Sequence, residues 1–342
     1  MRIAQVVPLL TRVPPTGMGG IERIVWYITE ELVRRGHDVT LFATGDSHTS
    51  ARLVPMSPGP LPAHDGQAWM MFHLLMFERV FSEPAEFDLV HSHLDYFVGP
   101  FARRHNTPTL TTLHNPLYPF DEPVWSEYRQ LPLVAISDAQ RREPFPWLHV
   151  LDVVYHGIPA DLYTLREQPG AYLAFLGRIT PEKGLHTAIA IAQEAGVPLR
   201  IGGRPDPFHQ PYFEEQIRPH LDHPLVEYIG EVNDAQKRDF LGGASALLFP
   251  IEWAEPFGLV MIEALACGTP VIAFPHGSVP EVISDGENGF VVRSVAEAVA
   301  AVHRLPELSR RRCRETFEAR FTVSRMVDGY EAIYRRMLER GT

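Results

Sequence analysis

Two cations in the second half of the chain have a spacing that suits a diphosphate. Arg178 and Lys183 follow a short apolar run that ends at Gly177, and a helical pattern begins at Gly184. The apolar run is typical of a buried parallel strand, so both cations are expected at the carboxyl edge of a sheet, where open α/β folds bind ligands. Arginine offers a planar pair of donors and lysine a point charge, a combination that fits a diphosphate. Positive charge near a helix start is otherwise unfavourable, which favours a ligand-binding role.

Two carboxylates further along the chain are suited to holding sugar hydroxyls. Glu255 precedes a helix predicted over 257–266, and Glu263 lies within that helix among apolar residues, so an exposed position is unfavourable for it. Carboxylates accept paired hydrogen bonds from hydroxyls, and two of them could hold two sugar rings, one of them a ribose. The first-turn amides of this helix are expected to bind an anion, and they belong to Phe257, Gly258 and Leu259.

Glycine-containing turns supply further candidate ligand-binding backbone. Gly19 and Gly20 follow the first strand and open the first helix, where free amides attract anions. A dinucleotide fingerprint would need G-x-G-x-x-G, but the sixth position counted from Gly17 is Glu22, which disfavours a nicotinamide site. In the second half, two more strand ends run into glycine turns that could hold a base and a sugar, and these turns contain Gly202 with Arg204, and Val232.

Alternating strand-like and helix-like segments along the whole chain predict parallel βαβ units. The 342 residues favour two domains, which we place at 1–160 and 161–322, with a polar linker around 160–170. Predicted strands of the first half are 3–7, 39–43, 88–91, 109–113, 133–136 and 150–155. Predicted strands of the second half are 172–176, 199–202, 226–229, 246–249 and 271–273. Predicted helices are 21–35, 184–194, 235–241, 257–266 and 323–338.

Composition excludes several classes of function. The net charge of −11 disfavours nucleic-acid binding. Cys267 and Cys313 form no metal-binding or disulfide spacing. The apolar segment 68–77 is too short to cross a bilayer, no signal peptide is recognisable, and a cytoplasmic protein is expected. We predict no metal site, because no carboxylate spacing accompanies the clustered histidines of the first half, which are His91, His93, His105 and His114. No cofactor is expected either.

Taken in order, these segments resemble glycosyltransferase family 4. The resemblance is carried by Arg178 with Lys183-Gly184 and by the run E-P-F-G-L-x-x-I-E-A-L-A-C-G-T-P-V-I that starts at Glu255. Shorter matches in family order are Gly19-Gly20-Ile21-Glu22, Arg35-Gly36-His37-Asp38-Val39, His91-Ser92-His93, Thr112-Leu113-His114-Asn115, Ile136-Ser137-Asp138 and His156-Gly157-Ile158. The resemblance implies the GT-B fold: two Rossmann-like α/β domains facing across a cleft, with a C-terminal helix at about 323–342 that crosses back to the N-terminal domain.

The resemblance also implies roles for individual residues. Arg178 and Lys183 would bind the donor diphosphate, Glu255 the transferred sugar and Glu263 the ribose. His114 matches a position close to the transferred sugar. The other implied donor-binding residues are Gly19, Gly20, Gly202, Arg204, Val232, Phe257, Gly258 and Leu259. The first domain would bind the acceptor, with His93 on the acceptor side. Tyr118 and Trp125, in a loop that matches no motif, are candidates for stacking on the acceptor.

The implied activity is a retaining, metal-independent transfer of a hexose from a nucleotide-diphosphate sugar, with a UDP-sugar such as UDP-glucose favoured. The acceptor would be a small molecule, a saccharide or a lipid-linked group. A nucleotide-sugar epimerase of the same fold and a non-catalytic nucleotide-sugar sensor remain alternatives. A glycoside hydrolase is disfavoured, since two helical glutamates eight residues apart would lie about 12 Å apart along the axis, beyond the separation that hydrolases use.

Overall fold

The computed structural model describes residues 1–17, 19–82 and 86–340, the last without its side chain. The strands are β1 Arg2–Val6, β2 Asp38–Thr44, β3 Arg52–Ser57, β4 Leu89–Ser92, β5 Thr109–Thr112, β6 Leu133–Ala135, β7 Val150–Val153, β8 Leu173–Leu176, β9 Leu199–Gly202, β10 Val226–Gly230, β11 Ala246–Phe249, β12 Val271–Ala273 and β13 Gly289–Val291. The helices are α1 Gly20–Arg34, α2 Gly66–Phe81, α3 Gly99–Ala102, α4 Glu122–Glu127, α5 Asp138–Arg142, α6 Leu185–Ala195, α7 Gln210–Tyr212, α8 Asp234–Gly242, α9 Leu259–Ala266, α10 Val279–Val282, α11 Val295–Arg304, α12 Arg310–Arg320 and α13 Val323–Arg340.

The chain forms two compact units. Unit 1 comprises Met1–Gly157 and Val323–Thr342, and unit 2 comprises Ile158–Thr322. Unit 1 contains a seven-stranded parallel sheet in the order β3-β2-β1-β4-β5-β6-β7, and unit 2 a six-stranded parallel sheet in the order β10-β9-β8-β11-β12-β13. Numbered within each unit, both sheets contain the doubly wound order 3-2-1-4-5-6. The prediction of two Rossmann-like α/β domains is confirmed.

The parallel strands are buried on both faces, which explains why the sequence shows continuous apolar runs rather than alternation. In β1 the residues Ile3, Ala4 and Val6 are fully buried, and Ile3 pairs with Val39 of β2 and Leu89 of β4. In unit 2 the core between sheet and helices contains Leu173, Phe175, Ile189, Ile201 and Leu248. The sheets therefore place the residues that follow each strand at one common edge.

The C-terminal helix α13 packs against α1 in unit 1, so the prediction that it returns to the first domain is confirmed. Arg35, just after α1, donates to Asp328 at 2.8 Å and to Glu331 at 3.0 Å, and its second terminal nitrogen binds Ser324. His37 lies 2.6 Å from the other oxygen of Glu331. The predicted end of this helix, 341–342, lies outside the described residues.

Some elements differ from the sequence prediction. The strands β3 and β13 and the helices α11 and α12 were not predicted as elements, because their segments carry turn residues or mixed polarity, whereas the helix favoured for 68–77 is part of α2. The apolar segment 68–77 lies in α2, where one face is buried and Met70, Met71, Leu74 and Leu75 are exposed. Within the described residues, no helix combines the length and apolar character needed to cross a bilayer.

Candidate active site

The carboxyl edge of the unit 2 sheet gathers the predicted donor-binding residues of this unit. Arg178 follows β8, Arg204 follows β9, Val232 follows β10, and the segment containing Glu255 follows β11. Because all these strands are parallel, their carboxyl ends lie along one edge, where α/β folds bind ligands. A cavity of about 750 Å³ lies at the opposite edge, with Val197, Ser245 and Pro270 in its lining, and it contains none of the predicted residues.

Lys183 is placed by a close contact between two loops. It ends a single 3-10 turn, Pro181–Lys183, and Gly184 follows with φ 70°. A β-carbon at Gly184 would lie 2.0 Å from the carbonyl oxygen of Pro250, so only glycine allows this approach. The amide of Glu252 also donates to the carbonyl of Glu182 at 2.9 Å. These contacts fix the lysine loop against the segment that carries Glu255.

Glu255 forms an ion pair with Lys183 through its Oε2 atom. The same oxygen accepts a hydrogen bond of 3.0 Å from Nε1 of Trp253. The ammonium group of Lys183 lies 4.8 Å from the centre of the Trp253 ring, a cation–π geometry. The three side chains therefore form one cluster in which the lysine and the carboxylate are both largely buried. Sequence reasoning found Lys183 and Glu255 but not Trp253.

The backbone of Glu255 is supported by the loop after β12. The amide of Ser278 donates to the Glu255 carbonyl at 3.0 Å, and its hydroxyl donates to the Phe257 carbonyl at 2.8 Å. Gly277 has φ 57°, and a β-carbon there would lie 2.2 Å from the Glu255 carbonyl oxygen. Neither Gly277 nor Ser278 was predicted, and the His-Gly-Ser turn after a strand was the available signal.

Glu263 is buried, with 4% of its surface exposed, as its apolar neighbours in the sequence indicate. Its Oε1 atom accepts hydrogen bonds from Tyr163 at 3.1 Å and from Nζ of Lys237 at 2.9 Å. Tyr163 lies before β8 and Lys237 in α8, so three distant segments meet at this carboxylate. Neither partner was identified from the sequence, because nothing local to Tyr163 or Lys237 marks a contact with Glu263.

The helix that carries Glu263 begins later than predicted. Helix α9 starts at Leu259, and Gly258 adopts a left-handed conformation with φ 76° immediately before it. The prediction that Phe257 belongs to the first turn is therefore wrong, and its side chain is buried in the core. Glu255 also lies outside the helix, so the helical-rise separation of about 12 Å does not apply to the two glutamates.

The remaining predicted residues of unit 2 lie along the same sheet edge. Arg178 is half-exposed, with Nη1 3.5 Å from Oδ2 of Asp206. Arg204 is exposed, and its carbonyl accepts a hydrogen bond from Ile179 at 3.0 Å. Val232 packs directly over Gly202, since a β-carbon at Gly202 would lie 2.7 Å from it.

In unit 1 the glycine turn opens α1 as predicted. Gly20 is the first residue of α1, and Gly19 precedes it with φ 155° and no room for a β-carbon beside Pro15. Glu22, in the first turn, is 5% exposed, and burial raises its pKa to about 7. Met18, within the same glycine motif, lies outside the described residues.

Three of the four predicted clustered histidines of unit 1, His91, His93 and His114, are buried and hydrogen-bonded, whereas His105 lies apart against Phe81. Nε2 of His93 donates a hydrogen bond of 2.8 Å to the side-chain oxygen of Gln5. Nδ1 of His93 accepts a hydrogen bond of 2.8 Å from Nε2 of His114. Nδ1 of His91 lies 2.7 Å from the hydroxyl of Tyr334. Burial lowers the pKa of His91 and of His114 to about 3, and that of His93 well below its usual value.

This arrangement changes the interpretation of His93 and brings out a feature of His114. Both ring nitrogens of His93 are engaged and its side chain is buried, so in this structure it has no atom available to bind an acceptor. The Nδ1 atom of His114 is buried and has no hydrogen-bond partner in the described part of the chain. His93 therefore supports the ring of His114 rather than presenting a free nitrogen of its own.

The two aromatic candidates for acceptor stacking differ in exposure. Tyr118 is 45% exposed and stacks on Phe120, with ring centres 5.5 Å apart. Trp125 is 1% exposed and packs edge-on against Tyr96 in the core of unit 1. Its ring is not accessible in this structure, so the stacking role predicted for Trp125 is not compatible with its position. Among the described residues, no group of three or more potential ligands is arranged to hold a metal ion.

The two doubly wound parallel sheets make this chain a two-domain protein of the Rossmann-like α/β class. The model described as Glycosyltransferase Family 4 matches residues 18–161, and the model described as Glycosyl transferases group 1 matches residues 164–318. Together the two matches take in most of the chain. The chain belongs to glycosyltransferase family 4 and is a hexosyltransferase.

Named relatives have related activities. The phosphatidyl-myo-inositol mannosyltransferase of Mycobacterium leprae is 28% identical over 89% of this chain and 88% of that protein. The D-inositol 3-phosphate glycosyltransferase of Mycolicibacterium smegmatis is 27% identical over 95% of this chain and 88% of that protein. The glycogen synthase of Mycobacterium tuberculosis is 24% identical over 89% of each chain.

Solved structures share the fold. AviGT4, a glycosyltransferase involved in avilamycin A biosynthesis, has a TM-score of 0.74 and 25% identity, covering 99% of this chain and 98% of that chain. The sucrose-phosphate synthase of Thermosynechococcus elongatus has a TM-score of 0.83 and 19% identity, covering 99% of both chains. The Anabaena protein HepE, in complex with UDP and glucose, has a TM-score of 0.75 and 20% identity, covering 97% of this chain and 99% of that chain.

Proposed function

We propose that this chain transfers a hexose from a nucleotide-diphosphate sugar to a hydroxyl acceptor, with retention of the anomeric configuration and without a divalent metal. The observation that carries the proposal is the cluster of Lys183, Glu255 and Trp253 at the carboxyl edge of the unit 2 sheet. A cation for the leaving diphosphate and a carboxylate for the sugar hydroxyls lie there in direct contact. Glu263, buried one turn into α9, supplies a second carboxylate for the ribose.

The proposed reaction breaks the bond between the anomeric carbon and the diphosphate oxygen and forms a bond from the same carbon to the acceptor oxygen. Negative charge develops on the diphosphate, and Lys183 and Arg178 stabilise it, an effect worth several kcal/mol when the charges are preorganised. The departing diphosphate accepts the proton of the acceptor hydroxyl, so no enzyme nucleophile is needed. The two cations take the place that a divalent metal would fill.

We propose a UDP-sugar such as UDP-glucose as the first donor to test. The likeness to HepE, whose structure contains UDP and glucose, supports this choice at the level of the fold. The relatives named as mannosyltransferases make a mannosyl donor the necessary comparison. Val232, which packs on Gly202 at the end of the adjacent strands, is proposed to lie beside the base.

The relatives named above differ in the acceptor that their names indicate. Their names include a phosphatidyl-inositol, an inositol phosphate and glycogen, which share hydroxyl groups on a ring. We propose a polyhydroxylated ring, either free, in a saccharide or linked to a lipid, bound by unit 1. The exposed Tyr118 is the proposed contact with the acceptor. His114, whose buried Nδ1 has no hydrogen-bond partner among the described residues, is proposed to lie close to the transferred sugar, and Gly19 and Gly20 are proposed to bind donor phosphate.

The test is a mass-spectrometric panel with chelator present, six nucleotide-diphosphate sugars including UDP-glucose and GDP-mannose, and pooled polyol, saccharide and lipid-linked acceptors. A gain of one hexose on an acceptor supports transfer, names the donor and shows that no free metal is required. The anomeric configuration of the product, read by NMR coupling constants, tests retention. Donor that is epimerised without transfer, or bound tightly and left intact throughout, would contradict the proposal.

A further inference from the structure

We propose that Tyr163 and Trp253 are positioning residues that orient the two site carboxylates so that one oxygen of each faces the ligand. The proposal rests on the proposed function, since it assigns Glu263 to ribose and Glu255 to the transferred sugar. Tyr163 donates to Oε1 of Glu263 at 3.1 Å, and Trp253 donates to Oε2 of Glu255 at 3.0 Å. Each carboxylate thus receives one neutral aromatic donor.

The two carboxylates are held in the same way. Lys237 binds the Glu263 oxygen that Tyr163 binds, and Lys183 binds the Glu255 oxygen that Trp253 binds. Over the residues that the structure describes, the second oxygen of each glutamate accepts no protein hydrogen bond. One oxygen is therefore occupied by the protein and the other remains to accept hydroxyl groups.

The aromatic donors do what the lysines cannot do alone. A lysine ammonium is a point charge on a flexible stem, and a diphosphate competes with the carboxylate for Lys183. Tyr163 is 1% exposed and its ring is fixed by packing, so its hydroxyl stays on Glu263. Trp253 is partly buried and keeps its hydrogen bond to Glu255 when Lys183 turns to a phosphate. Carboxylates fixed before binding need no reorganisation when hydroxyls arrive.

This arrangement predicts that the two aromatic residues control different parts of donor recognition. Tyr163 acts through Glu263, so it governs the preference for a ribose with both hydroxyls over a dideoxyribose. Trp253 acts through Glu255, so it governs the preference for the nucleotide sugar over the bare nucleoside diphosphate. A purely structural role would weaken all ligands equally and leave both preferences unchanged.

The experiment measures dissociation constants by titration calorimetry for full-length Tyr163→Phe and Trp253→Phe, using UDP, 2′,3′-dideoxy-UDP and UDP-glucose, with the matching GDP and ADP compounds. Loss of one orienting hydrogen bond is expected to reduce a preference by about tenfold. Tyr163→Phe should lower the ribose preference and leave the sugar preference unchanged, and Trp253→Phe should do the reverse. Tyr172→Phe is the matched control, because its hydroxyl binds the Phe240 carbonyl at 2.6 Å, away from both glutamates.

The inference would be overturned if the unaltered chain and the three variants bound nucleotides with the same ribose preference and the same sugar preference. Absence of any nucleoside diphosphate binding by the unaltered chain would instead overturn the proposed function, so the two failures are distinguishable. Circular dichroism confirms that each variant is folded. Should Tyr163→Phe fail to fold, the Trp253→Phe comparison decides, since that partly buried residue lies at the edge of the site.

Discussion

Lys183 and Glu255 lie 72 residues apart in the chain and form an ion pair within unit 2. The pair depends on two close backbone contacts, one at Gly184 beside Pro250 and one at Gly277 beside Glu255. Both partners are largely buried, so each charge depends on the other in the absence of a ligand. Under the proposed function, a diphosphate would take the place of Glu255 as the partner of Lys183.

Replacing Lys183 should abolish most of the transfer activity. Lys183→Ala removes the charge that stabilises the leaving diphosphate, and we expect kcat to fall by about 100-fold or more. The measurement is the initial rate of nucleoside diphosphate release in the presence of acceptor. Arg311→Ala is the control, since Arg311 pairs with Glu167 on an exposed surface beside the cavity at the opposite sheet edge. A Lys183→Ala rate within about threefold of the unaltered enzyme would contradict this role.

Gly277→Ala should displace Glu255. Its β-carbon would lie 2.2 Å from the carbonyl oxygen and 2.4 Å from the amide nitrogen of Glu255, at φ 57°. We expect at least a tenfold loss of transfer rate and a loss of about 1 to 3 kcal/mol in unfolding free energy. Gly286→Ala is the matched control, because Gly286 has φ 75° but no atom within 4 Å of an added β-carbon. Gly286→Ala should lose about 1 kcal/mol of unfolding free energy from backbone strain alone and keep its transfer rate. Equal losses of transfer rate in the two variants would refute the displacement of Glu255.

Arg35→Ala should loosen α13 from α1. The Arg35 side chain is 16% exposed and pairs with Glu31, Asp328 and Glu331, so its removal takes the most buried cation away from the two largely buried glutamates. We expect the unfolding free energy of unit 1 to fall by about 3 kcal/mol, measured by urea denaturation. Arg335→Ala removes a 61% exposed partner of the same Glu331 and should cost less than about 1 kcal/mol. Similar losses of unfolding free energy in Arg35→Ala and Arg335→Ala would show that burial does not decide how much each ion pair stabilises unit 1.

Acid should destabilise unit 1 through its buried histidines. Burial lowers the pKa of His91 and His114 to about 3, whereas an unfolded histidine titrates near 6.5. The unfolded chain therefore binds protons that the folded chain does not, so their contribution is complete above about pH 6.5 and falls as the pH drops toward 3. At pH 5 the loss is about 2 kcal/mol per histidine. Urea unfolding at pH 7 and at pH 5 measures this decrease in unfolding free energy. The decrease should be smaller in His91→Asn than in a variant in which the exposed His303 is replaced.

Glu22 should show the opposite pH dependence. Burial raises its pKa to about 7, so the folded chain holds a proton that the unfolded chain releases near pH 4.5. Stability from this group is present below about pH 4.5 and is lost as the pH rises through 7. Glu22→Gln removes this loss, so its stability advantage over the unaltered chain should grow by about 3 kcal/mol or less between pH 4.5 and pH 8.5. A constant difference across that range, measured by urea unfolding, would show that the carboxyl titrates normally.

The fold class and several residues of the candidate site can be predicted from the sequence alone. Continuous apolar runs ending in glycine predict parallel strands, and the residues after them must share one sheet edge. Arg178 and Lys183 could be identified for this reason, because Arg178 stands just after β8 and Lys183 just before α6, whereas Glu255 was indicated by its place before the predicted helix 257–266. The apolar neighbours of Glu263 likewise predict its burial, which the structure confirms.

The contacts between side chains from distant segments follow from the packing of the fold and not from the sequence pattern. Tyr163 and Lys237 reach Glu263 from separate segments, and no local pattern marks either contact. The stacking role suggested for Trp125 and the acceptor role suggested for His93 are not compatible with their burial and hydrogen bonds in unit 1. Periodicity reports whether a position is buried along its own helix or strand, whereas the identity of its partner depends on packing between segments that are distant in the chain.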